Sequence, residues 1–343
     1  MPARTSIGNV VYELTDSCNQ SCRFCYNYWR DGNSPIEAPD PALARRTLRR
    51  LLSQAAVGTI SFSGGEPLLL RNVHDLVMTA RFGGSRVNVL TNGTLLSPVA
   101  LDAFHSLGVG AIQIPLLSAE ESVHDALTGV AGSWRKATDA LSRVAALMPQ
   151  GAFAVLVITR VNAPGIAATL EMIHSLGAAS VMVNRFNIGG LGLKNAASLV
   201  PDRETLHQAF AAVEAFAAAH PSMHFVSGVC TPLCLMDTAP FPHIKFAWCS
   251  TDLLSRPVAV NYRGEVRFCN HSPHVLGNIY ERPVGEILTD PAVTERYGAV
   301  PERCLSCPHL KQCNGGCRAA SEQVYGTFSA ADPILDMAGS AGE

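Results

Sequence analysis

Apolar residues follow two alternating rhythms through the first half of this chain. Short, mostly apolar runs stand at 8–14 (GNVVYEL), 57–62 (VGTISF), 86–91 (RVNVLT), 110–116 (GAIQIPL), 152–159 (AFAVLVIT) and 180–186 (SVMVNRF). Runs of this length predict strands buried in a parallel sheet. Between them the apolar spacing lengthens to three and four residues, which predicts amphipathic helices. One opens at Asp40-Pro41, an N-cap followed by an N1 proline, and carries Leu48, Leu51, Leu52 and Ala55 on one face. Another follows Trp134 with Ala137, Leu141, Val144 and Leu147, and others fit 71–82, 97–107 and 164–176. Strand-then-helix units repeated in this way predict an α/β fold: a parallel sheet with right-handed crossovers, curved or closed as a barrel. Such sheets carry their functional loops at the C-terminal ends of the strands.

Residues 187–195 (NIGGLGLKN) break the rhythm as a Gly-rich loop. A helix capped by Asp202 follows, with Leu206, Phe210, Val213 and Phe216 inward. From about residue 221 the chain becomes short segments, prolines and dense cysteine, a module ordered by metal rather than by apolar burial alone. The expected division is a barrel over 1–200, a bridging helical region over 201–229, a cysteine-rich domain over 230–331 and a tail over 332–343. That tail has little to pack and is expected to be mobile.

Hydrophobic residues make up 48% of the 343, enough for a large core. The net charge of -2, without a lysine or arginine run, gives no footing for nucleic acid or an anionic membrane. The N-terminus lacks a signal-peptide core and no apolar stretch is long enough to span a bilayer, so the chain reads as cytoplasmic. Eleven cysteines are then the anomaly. A disulfide framework suits a short secreted chain, whereas thiolate ligation of iron or zinc suits a reducing compartment.

Three of the cysteines, Cys18, Cys22 and Cys25, share the segment TDSCNQSCRFCYNYW just after the first strand. Three thiolates in one loop suit an iron–sulfur cube, and without a fourth local cysteine one iron is left open for chemistry. After the second strand comes Ser63-Gly64-Gly65-Glu66-Pro67, where two glycines allow close backbone approach and Glu66 can accept from an ammonium group. Taken alone, this is also a plain Gly-Pro turn.

Together the two motifs resemble the radical S-adenosylmethionine superfamily, whose signature is a C-x3-C-x2-C loop followed by a GGEP turn. The resemblance implies a partial (β/α)6 TIM-like barrel. It also implies a 4Fe–4S cluster on Cys18, Cys22 and Cys25 that binds S-adenosylmethionine and cleaves it to a 5′-deoxyadenosyl radical. Phe24 would lie against the adenine, and the backbone of Gly64, Gly65 and Glu66 would bind the methionine ammonium. TNGTLL at 91–96 resembles the third-strand turn of the family and makes Asn92 a pocket residue. Where relatives read Ser-Leu-Asp-Gly after the fourth strand, this chain has Pro115-Leu116-Leu117-Ser118, with Ser118 standing in for the missing serine. Arg160, ending the fifth strand, would pair with the methionine carboxylate or be a solvated strand-end cation.

The remaining cysteines form C-x14-G-x4-C (Cys249, Gly264, Cys269) and then C-x2-C-x5-C-x3-C (Cys304, Cys307, Cys313, Cys317). Four such thiolates also suit a zinc knuckle. Behind the first motif, the pattern resembles the SPASM extension of enzymes that mature ribosomally made peptides, a small, loop-rich auxiliary iron–sulfur domain. In that family Cys249, Cys269 and Cys317 would hold one auxiliary cluster, and Cys304, Cys307 and Cys313 the other. The usual final cysteine is absent. Two cubes need eight ligands, and Cys230 and Cys234 raise six to eight; otherwise these two are buried small apolar residues. Cys234 leads because it follows the tight Pro232-Leu233 turn. Asp332 or Asp336, a 2Fe–2S cluster or an open iron are the other solutions. Sulfatase-maturing relatives carry an aspartate after the cysteine at 269; Asn270 here cannot take a proton, which disfavours that activity.

Candidate substrate-facing residues at strand ends are Tyr26, Tyr28, Gln113, Asn184, Arg185 and Asn187. His124, His271 and His274 receive no catalytic role. The leading expectation is an enzyme that abstracts hydrogen from a residue of a ribosomal precursor peptide, ending in cross-linking, oxidation or fragmentation. A radical enzyme acting on a small molecule such as a tetrapyrrole, or a non-catalytic electron-transfer protein, are the alternatives. A first strand beginning near residue 8 leaves no room for a fused leader-binding domain, so a separate recognition protein or direct binding is expected, with an external flavodoxin- or ferredoxin-like electron donor.

Overall fold

A computed structural model describes residues 4–31 and 36–339. The chain forms two compact units that interleave along the sequence. One comprises Met1–Asn19, Pro35–Gln113 and Ser250–Ala299; the other comprises Gln20–Ser34, Ile114–Cys249 and Val300–Glu343. Compactness therefore does not follow the expected division at residues 200 and 230.

In the first unit, β1 (Thr5–Glu13), β2 (Ala55–Ser63), β3 (Arg86–Leu90) and the start of β4 (Ala111–Pro115) run parallel, each paired with the next. Helices α1 (Pro41–Gln54), α2 (Val73–Phe82) and α3 (Pro98–Ser106) make the crossovers. The expected cap holds: Asp40 accepts from the amides of Ala42 and Leu43, and Leu48, Leu51 and Leu52 are buried. The other edge of β1 pairs in parallel with β9 (Pro257–Asn261), and antiparallel strands β10 (Glu265–Arg267) and β11 (Val275–Asn278) follow. Ile7, Val10, Tyr12, Ile60, Phe62, Val87, Val89 and Ile112 form the core of this unit. Glu13, ending β1, is buried in an ion pair with Arg267, whose other arm donates to the carbonyl of Ser272 at 2.8 Å.

In the second unit, β5 (Ala152–Ile158), β6 (Ser180–Arg185), β7 (His224–Ser227) and β8 (Ile244–Phe246) run parallel. Helices α4 (Glu121–Thr128), α5 (Ser133–Leu147) and α6 (Ile166–Ser175) belong to the same unit. The Gly-rich segment is not all loop. Its residues form α7 (Gly190–Lys194) and lead into α8 (Ala196–Leu199), before α9 (Arg203–Ala219) starts on the expected Asp202 cap. The expectation of a mobile tail is corrected through residue 338. Asp332, Ile334, Leu335 and Ala338 are buried, because a short helix at Ile334–Met337 turns its apolar residues inward. Residues 340–343 of that tail lie outside the described part.

Candidate cluster and cofactor sites

The loop after β1 is fastened by neighbours within each unit. In the first, Gly65 and Glu66 donate their amides to the carbonyls of Thr15 (2.7 Å) and Ser17 (2.8 Å), and the amide of Asn92 Nδ2 reaches Asn19 Oδ1 at 2.7 Å. Arg263 binds Asp16 at 2.8 Å, just ahead of Cys18. The two glycines are required by this contact. Gly64 has φ +123°, and a Cβ on Gly65 would stand 2.0 Å from the carbonyl oxygen of Ser17. The close approach anticipated for a ligand is thus made by the cysteine loop itself. In the second unit, Ser21 and Arg23 donate to Thr128 and Leu127, and Gly192 donates to Cys25 at 2.9 Å. Cys18, Cys22 and Cys25 are all half-buried thiols.

Glu66 departs from expectation. Its carboxylate is 1% exposed and accepts from Thr91 Oγ1 (2.6 Å), the amide of Leu68 (3.0 Å) and the amide of Asn92 (2.8 Å). Burial pushes its pKa up, and these three donors oppose the shift. The carboxylate therefore joins the β2 turn to the β3 turn, while the amides of Gly65 and Glu66 hold the cysteine loop. Ser63 gives its carbonyl to Leu14, and Pro67 opens the single turn Pro67–Leu69. Ser118 is buried, accepting from the amide of Glu120 at its hydroxyl and from Trp134 Nε1 at its carbonyl. The strand-end cation Arg160 is exposed and donates to the carbonyl of Ala197. Buried His124 accepts from the amide of Leu117, and burial lowers its pKa to about 4, so it stays neutral.

All eleven cysteines are present as thiols. Cys234, Cys304, Cys307 and Cys313 line one cavity of the second unit, together with Pro232, Leu233, His309, Leu310, Gly315 and Leu335. Pro232 accepts from the amides of Leu235 and Met236, the expected tight turn, which presents Cys234. Elsewhere in this unit the thiol of Cys230 hydrogen-bonds that of Cys249. That bond, then burial, raises its pKa, with Cys317 adding to the effect and Arg185 opposing it. Between Cys313 and Cys317 the chain turns through three successive left-handed residues, Asn314, Gly315 and Gly316, which explains the CNGGC run. Among the described residues, no three His, Cys, Asp or Glu side chains close around a single ion. Thiols spread around a cavity fit the corners of a polynuclear cluster.

The strand-end residues expected to face substrate do not share one role. Asn184 accepts the amides of Gly228 and Val229 at its side-chain oxygen. Arg185 is wholly buried against Asp332 and the carbonyl of Cys230, so it does not face substrate. Asn187 is also buried, and donates to Cys317 Sγ at 3.6 Å. Tyr26, Tyr28 and Gln113 are half-buried, as is Phe24. Both carboxylate oxygens of Asp332 are taken, by Arg185, the amide of Cys317 and the amide of Ile334, so it is not a spare ligand. Asp336 is likewise engaged, by Tyr325 and Arg303. Sequence reasoning missed Thr91, Asn19 and Arg263; the Thr91-Asn92 dipeptide after β3 was the only local signal for the Glu66 bracket.

Residues 12–173 match the model of the radical SAM superfamily, and residues 249–314 match that of SPASM, an iron–sulfur cluster-binding domain. A PqqA peptide cyclase of Xanthomonas campestris pv. campestris (strain 8004) is 26% identical over 340 residues, covering 96% of this chain and 86% of that protein. The PqqA peptide cyclase of Streptomyces rochei is 28% identical over 351 residues, covering 98% and 91%. The crystal structure of Streptococcus suis SuiB bound to precursor peptide SuiA has the same fold, with a TM-score of 0.73 at 16% identity over 96% of this chain and 75% of that one. No described helix is long and apolar enough to cross a membrane. With the cysteine loop, the GGEP turn and the parallel sheet in place, the chain belongs to the radical SAM superfamily, as an enzyme with a C-terminal SPASM iron–sulfur domain.

Proposed function

We propose that this enzyme modifies a ribosomally made precursor peptide, taking a hydrogen atom from one of its residues. The observation that carries the reading is the loop leading to Cys18, whose Thr15–Ser17 stretch is fastened by backbone hydrogen bonds to Gly65 and Glu66 so closely that a Cβ on either glycine would strike it. Cys18, Cys22 and Cys25 would hold the first cluster, which when bound would supply the one electron that splits S-adenosylmethionine into methionine and the 5′-deoxyadenosyl radical. The peptide backbone at 63–67 and the 92–94 turn orient the methionine end, with Phe24 beside the adenine. Cys234, Cys304, Cys307 and Cys313 hold one auxiliary cluster, a reading supported by their common cavity. Cys230, Cys249 and Cys317 belong to the other, supported by the Cys230–Cys249 hydrogen bond; sequence spacing adds Cys269. The names of the relatives support a peptide substrate, and an external one-electron donor completes the system.

The test is anaerobic incubation of reconstituted, reduced protein with S-adenosylmethionine, followed by mass spectrometry of a short peptide encoded beside the gene. Release of 5′-deoxyadenosine with a changed peptide mass is expected. Iron-loaded protein that releases none overturns the enzyme assignment. Release with every candidate peptide unchanged, while a small molecule is consumed, overturns the peptide reading.

A further inference from the structure

The end of β6 and the residues after it reach the main chain of Cys230 and the thiol of Cys317. Arg185 is 0% exposed and donates from Nε and Nη2 to the carbonyl of Cys230, at 2.9 and 2.6 Å, and from Nη1 to the carbonyl of Phe186 at 3.0 Å. Its partner Asp332 is 1% exposed and holds the amide of Cys317 at 2.7 Å. Asn187 donates through Nδ2 to Cys317 Sγ. One guanidinium, one carboxylate and one side-chain amide therefore meet the chain at two of three neighbouring thiols.

Packing alone is a poor reason for this arrangement, because a buried ion pair is often replaceable by apolar side chains at no loss of stability. Its effect on a metal cluster is different. When such a cluster takes up one electron from an external reductant, no bond forms or breaks, and the thiolate-bound assembly becomes more negative by one charge. A nearby buried cation and an N–H donated to a ligating sulfur both favour the more negative state. Asp332 carries the opposite charge and holds the amide of Cys317, so the ion pair adds no net charge and the N–H from Asn187 to Cys317 is the influence left uncompensated. We propose that Asn187 is a positioning residue that raises the reduction potential of the auxiliary cluster that includes Cys317, with the Arg185–Asp332 pair fixing the main chain at Cys230 and Cys317. The inference rests on the thiol assignment proposed above.

The experiment uses the full chain with Cys18, Cys22 and Cys25 each replaced by Ala, so that only auxiliary clusters remain. It is reconstituted anaerobically and titrated with dithionite and redox mediators, read by EPR and visible absorption. Cys317→Ala on this background identifies the signal in question. Asn187→Ala is expected to make reduction about tenfold less favourable, equivalent to about 59 mV for a one-electron couple. The paired variant Arg185→Gln with Asp332→Asn, which removes no net charge, is expected to shift the potential less than Asn187→Ala does. The other auxiliary cluster should not move. Full iron content with an unmoved potential in Asn187→Ala overturns the proposal, and Asn187→Ala alone decides if the paired variant loses iron. Signals that survive Cys317→Ala unchanged overturn the thiol assignment, and the tuning with it.

Discussion

Replacing Gly65 with Ala tests whether the GGEP turn is shaped by the cysteine loop. The added Cβ would stand 2.0 Å from the carbonyl oxygen of Ser17, 2.5 Å from its carbon and 2.9 Å from the carbonyl oxygen of Asp16. Ordinary contact begins near 3.4 Å, so the two backbones must part by about 1.4 Å. No rotamer change relieves this, because every close atom is main chain. Parting them breaks the bonds from Gly65 to Thr15 and from Glu66 to Ser17. Two lost hydrogen bonds cost about 1 kcal/mol each, and overpacking adds about 1–3 kcal/mol. The expected loss is therefore about 3–5 kcal/mol, read from the urea midpoint of reconstituted protein. Ser17 adjoins Cys18, so the iron of the first cluster and the release of 5′-deoxyadenosine should fall as well. Gly165→Ala is the control: nothing lies within 4 Å of its Cβ position, and a change within about 0.5 kcal/mol is expected. A Gly65→Ala protein with the parent's midpoint and full iron would refute the reasoning.

Three further outcomes follow from other parts of the molecule. Cys234→Ala should lose about four irons per chain if its thiol completes a cube with Cys304, Cys307 and Cys313, and unchanged iron analysis would contradict that role. Arg267→Met strands the buried Glu13 carboxylate and should cost about 3–5 kcal/mol near neutral pH, most of it regained with Glu13→Gln added. Burial already raises the Glu13 pKa, and losing Arg267 raises it more. A raised carboxyl holds its proton better in the folded state, so the deficit against parent should shrink as pH falls through that raised value, in matched urea titrations at several pH values. Asp202→Ala removes the acceptor for the amide of Thr205 and should cost about 1 kcal/mol, seen as a lower urea midpoint.

The six leading strands were legible because each is a short, mostly apolar run set between helical spacings, and the α1 and α9 starts because Asp40 and Asp202 announce themselves as caps. Gly190–Lys194 was read as loop because glycine disfavours helix, yet contact sets the choice there: a Cβ on Gly190 would stand 2.3 Å from the carbonyl oxygen of Asn27. The cysteine spacing gave the chemistry of the first loop. It did not reveal which later thiols share a cavity, since Cys234 meets Cys304 only through folding. Arg185 misled for a related reason. A polar residue ending a strand reads as exposed unless its partner is visible, and that partner lies 147 residues away in what reads as a tail.

The position of β1 has a consequence for how the chain is made. One of its edges meets β2 soon after synthesis, but the other waits for residues 257–261 of β9. Until they leave the ribosome, the strand that leads into the cysteine loop presents an open row of amides and carbonyls, an invitation to pair with another chain. A nascent or truncated protein ending before residue 257 is therefore an aggregation hazard, however complete its cysteine loop. The SPASM segment thus contributes to this strand's integrity as well as bringing cysteines.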